Sequence, residues 1–168
     1  MPGPSGPWDG LRVLVSAGGT REPIDPVRFI GNRSSGRMGL ALAERAAARG
    51  AEVTLVAANV ALPAPPGVRR VDVESAAELA TAMEAEFATT DVLLMAAAPA
   101  DFRPSESAPG KIAREGTLAL DLEPTEDILA GLGAARHEGQ TIVGFAAETP
   151  HDGDSSASRP ESPGLERA

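Results

Sequence analysis

The chain has 168 residues, a formal net charge of −9, no cysteine and 3% aromatic residues, with no tyrosine. That length fits one domain of ordinary size with a real core. The acidic balance argues against a general nucleic-acid or membrane-surface role, because both need a basic face, and the lack of cysteine excludes disulfides and thiolate metal sites.

"MPGPSGPWDG" (Met1 to Gly10) has neither a basic n-region nor an apolar h-region, so it reads as a flexible N-terminus and not as a signal peptide. "LRVLVSAGG" (Leu11 to Gly19) is an apolar run ending in glycines, which predicts a buried strand and a tight turn. "SSGRMGLALAERAAARG" (Ser34 to Gly50) predicts a helix started by Ser34 or Ser35 and ended by Gly50. Met38, Leu42 and Ala46 give it one apolar stripe. "AEVTLVAA" (Ala51 to Ala58) predicts a second strand, and the proline-rich "VALPAPPGVRR" (Val60 to Arg70) a surface connection. Ser75 to Ala88 predicts a helix with a Ser75–Glu78 capping box. Asp91 to Ala98 predicts a third strand, and "TLALDL" (Thr117 to Leu122) an edge strand or hairpin arm. Pro124 to His137 predicts a helix capped by Thr125, and Gln140 to Ala147 a fourth clear strand. "PHDGDSSASRPESPGLERA" (Pro150 to Ala168) is too polar to offset its ordering entropy and is expected to be disordered.

Strands alternating with helices predict an α/β, Rossmann-like three-layer fold with a mostly parallel sheet, over residues 11–149. Ligands bind such sheets at the carboxyl ends of strands. Gly18–Gly19, Ala98–Asp101 and Phe145–Glu148 all lie just after strands. No apolar run approaches the ~20 residues of a membrane span. The expected setting is therefore cytoplasmic, with neither nucleic acid nor membrane as partner.

"RFIGNRSSGRMG" (Arg28 to Gly39) has the glycine spacing of a Walker loop at Gly31 and Gly36. Arg37 and Met38 then stand where that motif needs its lysine and hydroxyl. The first strand is followed by "SAGGTREP" and the second by no acidic residue, so the dinucleotide fingerprint is also missing. A nicotinamide-binding reading is the weakest of those considered. The stretch still has phosphate-binding character: Ser34, Ser35 and Gly36 would open a helix whose free N–H groups and dipole favour an anion, with the Asn32 amide just outside. An ordinary serine cap explains the same residues equally well.

Four motifs occur in order: "VSAGGTREPIDPVRFIGNRSSGRMG", "AAAPADFRPSESAPGKIAR", "PTEDIL" and "GFAAET". Together they resemble the phosphopantothenate–cysteine ligase family, over about Leu11 to Thr149. In many bacteria that activity is the C-terminal half of a fused synthetase–decarboxylase. The resemblance implies a step of coenzyme A biosynthesis that uses CTP and a divalent cation, Mg2+ or Mn2+. The carboxylate of 4′-phosphopantothenate attacks the α-phosphorus, pyrophosphate leaves, and the cysteine amine displaces CMP from the acyl-cytidylate. By motif position, Asn32 corresponds to the asparagine at the acyl-cytidylate and Lys111 to the lysine at the nucleotide phosphates. Asp101 corresponds to a CTP-contacting aspartate. Asp127, Ile128 and Leu129 match a "PDIL"-type nucleotide segment in which Glu126 stands where proline is usual. Phe145 is implied near the base and Ala97 near the nucleotide through its backbone. Gly18, Gly19, Asn32, Ser34, Ser35 and Gly36 are implied on the substrate and phosphate side; the metal ligands are not.

Bland readings stand beside these: a solvated loop lysine, a turn aspartate, a first-turn carboxylate at Asp127, and a core phenylalanine. His137 suits a helix C-terminus, His151 lies in the tail, and Ser34 and Ser35 lack the base a nucleophile needs. The pattern also breaks. The family's K-I-K-K run is Lys111-Ile112-Ala113-Arg114 here. After "GFAAET" the expected basic helix, the "AND" strand and the elements of the family homodimer are not recognisable. The decarboxylase half is not recognisable either, so no flavin is expected. Two readings follow: a ligase domain, C-terminally truncated, or a degenerate nucleotide-binding domain without independent ligase activity.

Overall fold

The computed structural model describes residues 6–146. In chain order the elements are β1 (Arg12–Gly18), β2 (Glu22–Pro23), β3 (Phe29–Ile30), α1 (Arg37–Ala47), β4 (Glu52–Ala58) and β5 (Arg69–Val73). They continue with α2 (Ala76–Phe87), β6 (Val92–Met95), β7 (Phe102–Pro104), β8 (Leu122–Pro124), α3 (Ile128–Ala134) and β9 (Thr141–Gly144).

Beyond their exposed first residues, Arg12 and Glu52, β1 and β4 are mostly apolar and buried because helices cover both faces of their sheet. Val13, Val15 and Ala17 point to one side, where they pack with Val53, Leu55, Leu40, Ala43 and Ala46 beneath α1. Leu14, Val56 and Leu93 point to the other, against Leu79, Met83 and Phe87 of α2 and Ile128 and Leu132 of α3. This alternation is the period-two pleat read as two cores. Each fully buried leucine or methionine contributes about 1.5–3 kcal/mol. α1 lies very close to β1: a Cβ on Gly39 would stand 2.5 Å from the Ala17 Cβ.

The central sheet has five parallel strands in the order β5-β4-β1-β6-β9. The chain therefore builds outward from β1 through β4 and β5, then returns to the other side of β1 with β6. This α/β, Rossmann-like arrangement reverses its strand order between β1 and β6, and ligands bind such sheets near that point, at the carboxyl ends of the strands. Two small antiparallel pairs, β2–β3 and β7–β8, flank that end.

Several local expectations change. Part of the predicted proline-rich connection and the residues after it form β5, pairing Arg70 with Leu55 and Val71 with Val56. The apolar face of α1 runs through Gly39, Leu40, Ala43 and Ala46, and Met38 is 48% exposed. Neither Ser34 nor Ser35 caps α1: Gly36 is the N-cap, at φ 73°, a left-handed conformation that costs other residues about 1–2 kcal/mol. Ser34 Oγ instead accepts from the Gly36 N–H at 3.4 Å. Asp127, not Thr125, caps α3, accepting from the Ala130 N–H at 2.9 Å. Thr125 is already committed elsewhere, its hydroxyl donating to the Ala100 carbonyl at 2.5 Å.

Half of the predicted capping box on α2 forms. Ser75 Oγ accepts from the Glu78 N–H, but the Glu78 carboxylate accepts from Glu74 N–H, not from Ser75. Of "TLALDL", only Leu122 enters a strand, in β8 opposite Pro104. In the N-terminal segment, Trp8 packs against the α1 core, with its N–H donating to the Arg49 carbonyl at 3.0 Å. The expectations for residues 147–168, including Ala147, Glu148 and the C-terminal tail, lie outside the described residues. No helix among the described residues is long and apolar enough to cross a membrane.

Candidate functional site

Where β6 ends at Met95, the chain leaves the sheet as the segment Ala96–Asp101. This segment forms one wall of a cleft of about 270 Å³ through Ala97, Pro99, Ala100 and Asp101. The other wall comes from Thr125, Glu126, Asp127, Ile128 and Leu129 at the start of α3, and Phe145 closes it beyond β9. Ala97, Asp101, Glu126, Asp127, Ile128, Leu129 and Phe145, all singled out from the sequence, thus share one cavity.

The lining is acidic and apolar. Asp101, Glu126 and Asp127 are exposed carboxylates, Ile128 is buried, and Phe145 is 46% exposed. Among the described residues, no lysine or arginine lines it. One Asp127 oxygen is occupied by its cap bond to Ala130.

Asn32 sits behind the first wall. Its Nδ2 donates to the Pro99 carbonyl at 2.7 Å, so the "RFIGNRSSGRMG" turn and the cleft share the segment at Pro99. The turn is fitted closely around the end of β1. Gly18, at φ 88°, lies so near the Ala58 carbonyl oxygen that a Cβ there would collide with it, and a Cβ on Gly19 would meet the Asn32 carbonyl oxygen at 2.6 Å. Both glycines therefore make room for neighbouring backbone. Ser34 and Ser35 are exposed at the entrance to α1, whose N-cap makes no side-chain hydrogen bond. Arg33 and Arg37 are exposed there and form no salt bridge among the described residues.

Lys111 is exposed and does not line the cleft. Its loop is held one residue further on by Asp25, which sequence reasoning missed. Asp25 is 2% exposed. It accepts from the backbone N–H groups of Val27 and Arg28 at 2.8 Å each, from Ile112 N–H at 3.2 Å and from Arg28 Nε at 2.9 Å. Burial pushes its carboxyl up. The donors from Val27, Arg28 and Ile112, with the Arg28 charge, outweigh that and lower it from 3.8 to about 2. Arg28 Nη2 also donates to the Ile112 carbonyl at 2.6 Å. The Asp-Pro pair in "EPIDPVRF" was the available signal, because aspartate before proline favours a turn that its own carboxylate closes.

Among the described residues, no group of three or more His, Cys, Asp or Glu could hold a metal ion.

The family described as "DNA/pantothenate metabolism flavoprotein C-terminal domain" matches residues 8–165. The coenzyme A biosynthesis bifunctional protein CoaBC of Mycobacterium tuberculosis strain H37Rv is 55% identical over 153 residues, 85% of this chain and 37% of that protein. A protein named cysteine/cysteine sulfinic acid decarboxylase, from an unknown prokaryotic organism, is 52% identical over 145 residues, 85% of this chain and 40% of its own length. The chain thus spans well under half of either relative. Among solved structures, the C-terminal domain of a CoaBC protein aligns with a TM-score of 0.74 and 44% identity, covering 84% of this chain and 66% of that one. The overall fold is shared with that solved domain, and the chain is a member of the DNA/pantothenate metabolism flavoprotein C-terminal domain family.

Proposed function

We propose that the chain is a phosphopantothenate–cysteine ligase domain that activates 4′-phosphopantothenate with CTP and joins it to cysteine, in coenzyme A biosynthesis. One observation carries this: residues from three separate motifs, Ala97–Asp101, Glu126–Leu129 and Phe145, converge on one cleft.

The lining suits a nucleoside better than a triphosphate. Carboxylates accept hydrogen bonds from ribose hydroxyls and from the exocyclic amine of cytosine. Ile128, Leu129 and Phe145 offer an apolar surface to the base. Phosphates then extend toward the Asn32 turn, where the α1 N-terminus, Arg33 and Arg37 supply donors and positive charge, and toward Lys111. The reacting carboxylate meets the α-phosphorus near Asn32, and the Asn32 amide steadies charge on the acyl-cytidylate. The donor set fits a cation that arrives with the nucleotide and keeps most of its waters, which needs one or two carboxylates and not a protein cage. Asp101 is the exposed candidate, and the ion would neutralise phosphate charge.

Calorimetric titration with CTP and with ATP tests the cleft. Saturable CTP binding that weakens in Asp101→Ala supports the reading; a folded chain that binds neither nucleotide refutes it. The name of the second relative favours a different reaction, and release of CO2 from cysteine without nucleotide would favour that reading instead.

A further inference from the structure

The wall segment Ala96–Asp101 lies past the end of β6, where main-chain pairing with the β1 side shrinks to one isolated bridge, Gly19 with Ala98. β1 and the two residues after it hold the segment through alternate residues. Ser16 Oγ accepts from the Ala97 N–H at 3.0 Å, the Gly18 carbonyl accepts from Ala98 N–H at 2.7 Å, and Thr20 Oγ1 accepts from Ala100 N–H at 2.8 Å. The first and third of these acceptors are side chains. Ser16 is fully buried and Thr20 is 1% exposed, and neither touches the cleft. Thr125 holds the next two peptide units: its hydroxyl donates to the Ala100 carbonyl, and its N–H donates to the Asp101 carbonyl at 2.9 Å.

We infer that Thr20, seconded by Ser16, is a positioning residue for the ligation: its hydroxyl fixes the Ala100 peptide, and so holds the wall that the nucleotide cleft shares with Asn32. The inference rests on the ligase reading. The Thr20 hydroxyl matters because the last main-chain bridge is at Ala98, Pro99 has no N–H to give, and the Ala100 N–H is met by this side chain. A wall displaced by about 1 Å can cost about a hundredfold in rate. Valine at position 20 keeps the volume and removes the acceptor, and serine restores it.

The test compares Thr20→Val, Thr20→Ser and Ser16→Ala with the unaltered chain. Three quantities are measured: hydrogen exchange of Ala97–Asp101, CTP binding, and pyrophosphate release split into kcat and KM. Thr20→Val is expected to retain the circular dichroism of the fold. Exchange at Ala100 should rise about fivefold to tenfold, the loss of one buried hydrogen bond. kcat should fall by about tenfold or more, and Thr20→Ser should restore both. Ser16→Ala should raise exchange at Ala97 in the same way. Thr20→Val with unchanged exchange, or with kcat and KM within about twofold of the unaltered chain, overturns the inference. If Thr20→Val does not fold, Thr20→Ala and Ser16→Ala decide by the same readouts. An unaltered chain that neither binds CTP nor releases pyrophosphate overturns the ligase reading, and the catalytic part of the inference with it. The exchange data then still decide whether the hydroxyl holds the wall.

Discussion

Gly19→Ala probes the joint between the Asn32 turn and the cleft. No left-handed backbone is required at Gly19, so the substitution acts through space alone. The new Cβ would lie 2.6 Å from the Asn32 carbonyl oxygen, and the nearest side-chain atom, the Ser34 Cβ, is at 3.4 Å. The obstacle is backbone, which cannot rotate aside. Asn32 must retreat by roughly 0.8 Å to restore an ordinary contact of about 3.4 Å. That motion is comparable to the slack in its Nδ2 bond to Pro99, now 2.7 Å, and would lengthen it beyond useful range. The overpacking costs about 1–3 kcal/mol of stability. The larger effect falls on turnover: a reacting group misplaced by about 1 Å costs up to about a hundredfold. Gly19 does not line the cleft, and the Ser16, Thr20 and Thr125 bonds still hold its wall, so CTP affinity should change by less than about threefold, a shift of under about 0.7 kcal/mol. The assay is pyrophosphate release, with thermal unfolding and CTP titration on the same preparation. A folded Gly19→Ala chain with kcat within about twofold of the unaltered chain would refute the role given to Asn32.

Three further outcomes follow from the same geometry. Lys111→Ala should weaken CTP binding by about 1–3 kcal/mol if the lysine makes a charge-assisted phosphate contact; unchanged affinity in a titration removes Lys111 from the site. Asp25 has a folded pKa of about 2 against an ordinary 3.8. Its contribution to stability is present above about pH 4 and is lost as pH falls toward 2. Thermal unfolding from pH 6 to pH 2 should show an acid limb that Asp25→Asn flattens; an identical limb in the variant contradicts the assignment. Leu79→Ala removes a side chain with no exposed surface beneath α2 and should cost about 2–5 kcal/mol in denaturant unfolding. A cost below about 1 kcal/mol would mean that this core is loosely packed.

The central strands and the first two helices were legible because burial on both faces leaves long apolar runs, and because α2 carries its own serine cap. β5 was not, since an edge strand mixes charge with apolar residues: Arg70 bonds Asp72 within the strand at 2.6 Å, and the preceding prolines mask its start. The stripe on α1 was misplaced because alanine and glycine, not Met38, face the sheet where α1 approaches β1 most closely. Thr125 reads locally as a cap, and only the tertiary bond to Ala100 shows why Asp127 takes that place. At the site, the cleft residues were legible through the motifs they resemble, not through any periodicity. The hydroxyls of Ser16 and Thr20 were not legible, because each acts across 80 residues or more of chain; at Asp25 the local turn had a signal in the proline that follows, and the bond to Ile112 had none. Lys111 was legible as a motif residue, yet its exposed loop leaves it outside the cleft lining.

The most direct measurement is pyrophosphate release by the purified chain with CTP and magnesium, with and without 4′-phosphopantothenate, and then with cysteine. The account predicts release that requires 4′-phosphopantothenate and turnover that rises when cysteine is added. A folded chain that binds CTP but releases no pyrophosphate with all three substrates would contradict it, and would leave a nucleotide-binding domain without ligase activity of its own.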